Sequence, residues 1–156
     1  MSGPEYEEKL KAYIRENQIA AEHLSFDQSC HSVAEAAEAV KANPEDFVKN
    51  ICMLDEQGRL IVAIVKGEDR ASTSRVARAI NAAEARLATP EEILAHTGFA
   101  FGGTPSFGFQ ATFLVDERVA EKEIIYTGGG SQNSLVKITP GELLRANQGC
   151  LTRIRR

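Results

Sequence analysis

The chain contains 156 residues, which is enough for one domain and too few for two comfortable hydrophobic cores. Hydrophobic residues make up 43% and charged residues 26%, so a disordered chain is excluded, and no apolar run approaches the roughly 18 residues of a membrane-spanning helix. The net charge of −4 argues against a protein that coats long nucleic acids, although a few local cations could still bind the end of a nucleic acid.

Hydrophobic spacing and helix caps predict five helices. The strongest starts are Thr89-Pro90-Glu91-Glu92 and Thr139-Pro140-Gly141-Glu142. Each combines a capping Thr, Pro at the first helical position and Glu three residues after the cap, which is the pattern of a capping box. A short capped turn is predicted over residues 43–46. The predicted helices cover about residues 4–17, 32–40, 73–82, 90–97 and 140–147.

Apolar runs predict six strands, and the run Leu60–Val65 is almost unbroken, as is typical of a strand covered on both faces. The predicted strands cover about residues 47–54, 60–65, 111–115, 123–127, 134–138 and 150–154. Helices and strands are mixed without strict βαβ alternation. We therefore predict a mixed α/β (α+β-like) fold: one domain over residues 1–156, with a mixed central β-sheet, open or barrel-like, and flanking helices.

Two glycine-rich segments are candidates for a binding site. In residues 99–109, four of the seven Phe surround Gly102, Gly103 and Gly108, so that apolar side chains anchor a loop of bare backbone. Adjacent glycines let peptide N–H groups converge on an anion or an oxyanion. The alternative is a tight connection between a helix and a strand, which composition alone favours. The second segment, residues 128–131, is typical of a flexible hairpin.

Lys49 is a candidate functional residue because it lies within an apolar run. If the segment is a strand, Lys49 shares one face with Phe47, Ile51 and Met53. A lysine between apolar neighbours then reaches either a cleft or, from an edge strand, the solvent. The spacing leaves both interpretations open.

Cysteine and histidine patterns give little support for thiol or metal chemistry. The three cysteines include no CxxC pair, so we expect neither a disulfide framework nor a zinc knuckle. Cys30-His31 could pair a thiol with a base, but consecutive side chains point apart in most backbone states. The three histidines lack metal-binding spacing. The acidic N-terminus lacks a signal-peptide pattern, so we expect a reduced, cytoplasmic protein that does not enter a membrane.

Taken in order, several segments together resemble a known family, the YbaK/prolyl-tRNA-synthetase-associated editing domains. These are aminoacyl-tRNA deacylases that occur inserted in prolyl-tRNA synthetase or as free-standing proteins. The resemblance spans about residues 20–152. It rests on His31-Ser-Val-Ala-Glu-Ala-Ala37, Pro44-Glu-Asp-Phe-Val-Lys-Asn50, the Leu60–Gly67 strand with Asp69-Arg70, Ala88-Thr-Pro-Glu-Glu92, Thr97-Gly98, Gly102-Gly-Thr-Pro-Ser-Phe-Gly108, Gly128-Gly-Gly130 and Ile138-Thr-Pro-Gly-Glu-Leu-Leu144.

The resemblance implies specific site residues. Lys49 is the key polar residue of the pocket, and the loop at Gly102 and Gly103 supplies backbone N–H groups to the ester. The family pattern GxxxP places Ser106 where Pro is usual, which bears on loop rigidity and selectivity. Asn50 looks more like the alanine-clearing members than the cysteine-clearing ones. The implied substrate contacts are His31, Asn50, Thr104, Pro105, Ser106, Gly129 and Gly130.

The expected function is that of a free-standing trans-editing enzyme without metal or cofactor. It would hydrolyse the ester that joins a small wrong amino acid, Ala first and Ser or Cys next, to the 3′-terminal adenosine of tRNA(Pro). The expected partners are the 3′-acceptor end of aminoacyl-tRNA and prolyl-tRNA synthetase. Two alternatives stay open at this point: a non-catalytic module that binds charged tRNA or a nucleotide, and a thiol hydrolase that uses Cys30.

Overall fold

The computed structural model describes residues 1–27 and 33–156 of the chain. Five α-helices occur among these residues, at the positions that the sequence predicts. They are α1 (Gly3–Glu16), α2 (Val33–Val40), α3 (Thr73–Ala79), α4 (Pro90–Thr97) and α5 (Pro140–Asn147). In the described part of the chain, no helix combines the length and apolar composition that crossing a membrane requires.

The predicted caps form at α4 and, in part, at α5. At α4, Thr89 and Glu92 make the full capping box, and Gly98 ends the helix in the left-handed conformation with φ of 78°. At α5, the Thr139 hydroxyl accepts the Glu142 N–H as expected. The Glu142 carboxylate does not return to the cap, because it accepts hydrogen bonds from the Ala20 N–H and from Arg145. It thus joins α5 to the segment that follows α1.

Eight strands occur in the described residues: β1 (Ala21–Ser25), β2 (Val48–Asp55), β3 (Leu60–Lys66), β4 (Ala85–Leu87), β5 (Thr112–Val115), β6 (Ile125–Gly128), β7 (Ser134–Ile138) and β8 (Cys150–Leu151). β3 is buried along its whole length, as its apolar composition predicts. Short 3₁₀ helices at Pro44–Asp46 and Val119–Glu121 complete the fold.

The structure confirms the predicted mixed α/β fold with flanking helices, but it has two sheets in place of the one central sheet that was predicted. The strands form two sheets that do not close into a barrel: an antiparallel sheet in the order β1-β7-β6 and a mixed sheet in the order β4-β2-β3-β5-β8. A parallel bridge between Phe47 and Tyr126 links the two, and their rings stack with centroids 5.0 Å apart. The sheets therefore meet at the start of β2, next to Lys49.

The core holds three apolar clusters that fix this arrangement. The largest lies between α1, the 99–109 segment and one face of the mixed sheet, with Leu10, Phe99 and Phe107 fully or almost fully buried. A second cluster packs α3 through Val76 against the opposite face. The third packs α2 against Phe47 and Tyr126, where the sheets meet.

Candidate active site

A cleft of about 470 Å³ opens where the two sheets meet. One wall is the first half of β2, and another is the 101–104 segment with the end of β6. The start of α4 and the end of β4 contribute apolar side chains, Leu87, Ala88 and Ile93. Polar and apolar groups thus share one concave site, which is the usual composition of a small-molecule pocket.

Lys49 lies in this cleft, which decides between the two interpretations of its position. On one side β2 pairs with β3, where Lys49 lies opposite Val65. On the other side β4 pairs only with Met53, Leu54 and Asp55, so the edge of β2 at Lys49 borders the cleft. The side chain is half-buried and lines the cleft. Within the described residues, the Lys49 ammonium has no ion pair or hydrogen bond, so its charge faces the cavity.

Asn50 and Thr127 in the cleft wall and Ser106 behind it form a closed ring of hydrogen bonds. The Asn50 Nδ2 donates to Thr127 Oγ1 over 2.9 Å, and Ser106 Oγ donates to Asn50 Oδ1 over 2.6 Å. The contact of 2.6 Å between the two hydroxyls closes the ring if Thr127 donates to Ser106. Asn50 Nδ2 also donates to the Thr104 carbonyl over 2.8 Å. Each polar group of the ring is therefore satisfied, which holds the wall rigid.

Ser106, predicted as a substrate contact, lies outside the cleft lining. Ser106 is 0% exposed and is absent from the cleft lining. Its hydroxyl is committed to Asn50 and Thr127, and its carbonyl accepts the Asn147 Nδ2 over 3.0 Å. The residue that replaces the family Pro therefore ties the glycine loop to β2, β6 and α5 from behind.

The two glycine-rich segments pack directly against each other. The Gly130 N–H donates to the Gly103 carbonyl over 2.8 Å. A Cβ on Gly103 would lie 2.7 Å from the Gly130 carbonyl, and a Cβ on Gly128 would lie 2.2 Å from the Thr104 carbonyl oxygen. These glycines are therefore required by close backbone approach. The segment belongs to the predicted hairpin, since it begins the connection between the antiparallel strands β6 and β7, but it is a packed wall of the site and not a flexible loop.

The amides of Gly102 and Gly103, both predicted to face the ester, differ in the structure. The Gly103 N–H donates to the Ala100 carbonyl over 3.2 Å, within a turn. Gly102 lines the cleft with φ of 97°, and its N–H has no partner among the described residues. Gly102 therefore fits the predicted oxyanion donor, whereas the amide of Gly103 is already used.

The other predicted site residues fall into three groups. Thr104 lines the same cleft as Lys49, Asn50 and Gly102. Pro105 and Gly129 are buried outside the cleft lining, and Gly130 lines a neighbouring cavity. His31, like Cys30, lies outside the described residues. Thr127 was not predicted as a site residue, because its only signal in the sequence is its position directly before three glycines at a strand end.

Cys52 also lines the cleft, and its environment decides whether it could act as a nucleophile. Burial raises the pKa of the Cys52 thiol to about 11. The thiolate is the reactive form, so at neutral pH this cysteine is a small apolar side chain. Within residues 1–27 and 33–156, no group of three His, Cys, Asp or Glu side chains is placed to hold a metal ion.

Known proteins are similar to this chain over most of its length. The model of the family described as the aminoacyl-tRNA editing domain matches residues 27–146. The chain is 26% identical over 131 residues to the uncharacterized protein YwhH of Bacillus subtilis (strain 168), a match that covers 83% of this chain and 80% of YwhH.

Solved structures share the fold. A crystal structure described as that of a proposed trans-editing enzyme for prolyl tRNA synthetase is 25% identical, with a TM-score of 0.89 over 97% of both chains. The crystal structure of hypothetical protein APE2540 is 24% identical, with a TM-score of 0.86 over 95% of this chain and 99% of that one. The second similarity concerns the fold alone.

Proposed function

Because the chain belongs to the aminoacyl-tRNA editing domain family and is an aminoacyl-tRNA deacylase, we propose that it clears a small, wrongly attached amino acid from tRNA(Pro). The single observation that carries the proposal is the cleft in which the Lys49 ammonium and the Gly102 N–H occur together, neither with a partner among residues 1–27 and 33–156. Ester hydrolysis develops negative charge on the carbonyl oxygen, and this cleft offers one cation and one fixed donor to it.

In the proposed mechanism, water supplies the nucleophile. Its oxygen bonds to the ester carbonyl carbon while the Gly102 N–H holds the developing oxyanion. A ribose hydroxyl of the terminal adenosine positions or activates this water. The bond between the carbonyl carbon and the ribose oxygen then breaks, and that oxygen takes the proton that the attacking water loses, directly or through the neighbouring ribose hydroxyl. Lys49 binds the 3′-terminal phosphate or the ester region, and Cys52 takes no part because its thiol stays protonated.

We propose that selectivity is steric. The Asn50 amide is fully used within the hydrogen-bonded ring, so it shapes the wall and has no hydrogen left to donate to a substrate. A rigid wall rejects the larger prolyl ring more strongly than apolar attraction could, because one methylene of contact is worth only about 1–3 kcal/mol. The expected order is alanyl first, seryl or cysteinyl next, with prolyl spared.

The choice of tRNA(Pro) is supported by the 25% identical structure described as a proposed trans-editing enzyme for prolyl tRNA synthetase. An editing deacylase must reach mischarged tRNA before that tRNA is used in translation. We therefore propose that the protein acts in the cytoplasm and meets its substrate near prolyl-tRNA synthetase.

The test is release of free amino acid from tRNA(Pro) charged in turn with alanine, serine, cysteine and proline. Alanyl-tRNA(Ala) serves as the control for tRNA identity. We expect rapid release of alanine from tRNA(Pro), slower release of serine and cysteine, and no release of proline. Cleavage of prolyl-tRNA(Pro) as fast as alanyl-tRNA(Pro) would overturn the proposal, since such an enzyme would destroy its cell's correct product.

A further inference from the structure

A second cavity, of about 530 Å³, adjoins the candidate active site. It lies between the first turn of α1, the residues that follow β1 and both glycine-rich segments. Three residues, Phe101, Ser131 and Gln132, line both this cavity and the cleft. A ligand that reacts in the cleft therefore has room to extend across this shared wall.

The lining of the second cavity combines aromatic rings with carboxylates. Tyr6, Phe26 and Phe101 supply the rings, and Glu7 and Asp27 supply the carboxylates. The described lining residues include no Lys, Arg or His. A phosphate would meet only negative charge here, whereas a flat neutral ring with an amino group would find stacking surfaces and hydrogen-bond acceptors.

The two carboxylates differ in availability. Glu7 accepts hydrogen bonds from the hydroxyls of Ser25 and Ser131, the latter over 2.7 Å. Glu7 therefore fastens α1 to β1 and to the second glycine-rich segment. Asp27 is exposed and lines the cavity, and its carboxylate has no hydrogen bond or ion pair within the described residues. Its carboxylate is placed to accept from an amino group such as N6 of adenine.

Phe101 is the ring best placed to bind such a base. Its side chain is 62% exposed, and among the described residues it is the one exposed aromatic side chain. The backbone on either side is fixed, because Phe99 is buried against Tyr6 and Gly103 closes a turn onto Ala100. The backbone at Phe101 is therefore fixed, and its exposed ring is available for stacking directly before Gly102.

We propose that the second cavity takes the terminal adenine of the substrate, stacked on Phe101, while the aminoacyl group enters the cleft. This inference rests on the proposed function. An ester held at Gly102 is one ribose away from its own base, and Phe101 is the neighbouring residue in the chain. The carboxylates at Glu7 and Asp27 keep the phosphodiester outside, so the cavity binds the nucleoside alone.

The chain contains no tryptophan, so Phe101→Trp introduces one fluorescent reporter at the proposed stacking position. Titration of this variant with adenosine should give saturable quenching. The matched control is Leu94→Trp, which places the reporter at a 45% exposed position of α4 outside both cavities. Equal quenching of both variants, or none at Phe101→Trp in a protein with an unchanged melting temperature, would overturn the inference.

Deacylation kinetics provide the second readout. Phe101→Ala should lower kcat/KM for alanyl-tRNA(Pro) about tenfold, through KM, because base stacking on an aromatic side chain is lost. Phe101→Tyr should restore the wild-type KM, and Leu94→Ala should leave it unchanged. If wild-type protein releases no amino acid, the proposed function fails while the adenosine titration still tests the cavity. If wild-type protein is active and Phe101→Ala keeps its KM, this inference alone fails.

Discussion

At the scale of single residues, Ser106 has a role that its neighbours define. Its hydroxyl donates to Asn50 Oδ1 and meets Thr127 Oγ1, each over 2.6 Å, and it is fully buried. Removal of this hydroxyl leaves the Asn50 amide oxygen and the Thr127 hydroxyl with one partner fewer, and Thr127 is only 1% exposed. An unsatisfied buried polar group is costly, so the ring stabilises the fold as well as the wall of the cleft.

We therefore expect Ser106→Ala to lower the free energy of unfolding by about 1–3 kcal/mol. Urea denaturation measures this change. The control is Ser74→Ala at an exposed position of α3, which should change stability by only about 0.5 kcal/mol or less. Equal effects of the two substitutions would show that the ring contributes nothing to stability.

Lys49 is the residue whose removal tests the chemistry most directly. Lys49→Met keeps the length of the apolar stem and removes the charge. Loss of a charged or hydrogen-bonding group that stabilises a transition state typically costs on the order of a hundredfold in rate, so we expect a loss of that size in kcat/KM for alanyl-tRNA(Pro). The melting temperature should stay near that of the wild type, because the ammonium makes no contact within the described residues.

The matched control is Lys137→Met, at a half-buried strand lysine of β7 that lines neither cavity. It should keep near-wild-type kcat/KM. Normal turnover by a folded Lys49→Met protein would reject the role of Lys49. A large drop in its melting temperature would favour a structural role instead.

At the scale of elements, the contact between the two glycine-rich segments builds the site. Gly128→Ala would place a Cβ 2.2 Å from the Thr104 carbonyl oxygen, a distance at which the backbone must move. We expect this change to lower the free energy of unfolding by about 1–3 kcal/mol, the usual cost of overpacking. It should also lower deacylation activity, since the 101–104 segment would shift.

Gly141→Ala is the control for Gly128→Ala, because a Cβ there meets nothing within 4 Å. It lies in α5, where Ala is a better helix former, so stability should rise by up to about 1 kcal/mol. Thermal unfolding of both variants checks the pair. If Gly128→Ala is as stable as the wild type, the segments are not held by close backbone approach.

The elements also show what local sequence can and cannot predict. Helix ends were predictable because caps act over three or four residues, as at Thr89 and Gly98. β1 and β4 were missed: β1 is half polar, and β4 has three residues. β1 forms because it pairs with β7, more than a hundred residues along the chain, and no local pattern reports such a partner.

At the scale of the whole molecule, the fold brings together residues that sequence could mark but not arrange. The sequence, read with the family resemblance, predicted Lys49 and Gly102, and both lie in one cleft. Ser106 is buried beside Thr127 of β6, and the Gly103 N–H donates to the Ala100 carbonyl. Both contacts depend on the folded backbone, so residue type alone could not predict them. Residue type predicted the candidate chemistry, and packing decided which groups are free.

Acid sensitivity is also a property of the whole molecule, because carboxylates with lowered pKa values tie distant segments together. Hydrogen bonds from Arg86 and the Thr89 N–H lower the pKa of Glu92 to about 2. Hydrogen bonds from Arg145 and the Ala20 N–H likewise lower the pKa of Glu142 to about 2. Burial alone would raise the pKa of Asp116, but the N–H groups of Ile154, Arg118 and Arg155 and the Arg155 side chain lower it overall.

The sign of the pH dependence follows from these shifts. A carboxylate whose pKa is lower in the folded protein binds fewer protons there than in the unfolded chain. Its contribution to the free energy of unfolding is therefore fully present above the unfolded pKa. For Glu142 this contribution is lost as the pH falls from about 4.5 toward about 2. We therefore expect the melting temperature to be flat near neutral pH and to fall across this window.

Glu142→Gln should lower the melting temperature at pH 7 and make the acid decline shallower, because the amide cannot titrate. Glu91→Gln, on the exposed side of α4, should leave the profile unchanged. An acid decline of the same slope in the Glu142→Gln protein would show that the bond between α5 and the Ala20 segment does not set the acid stability of the fold.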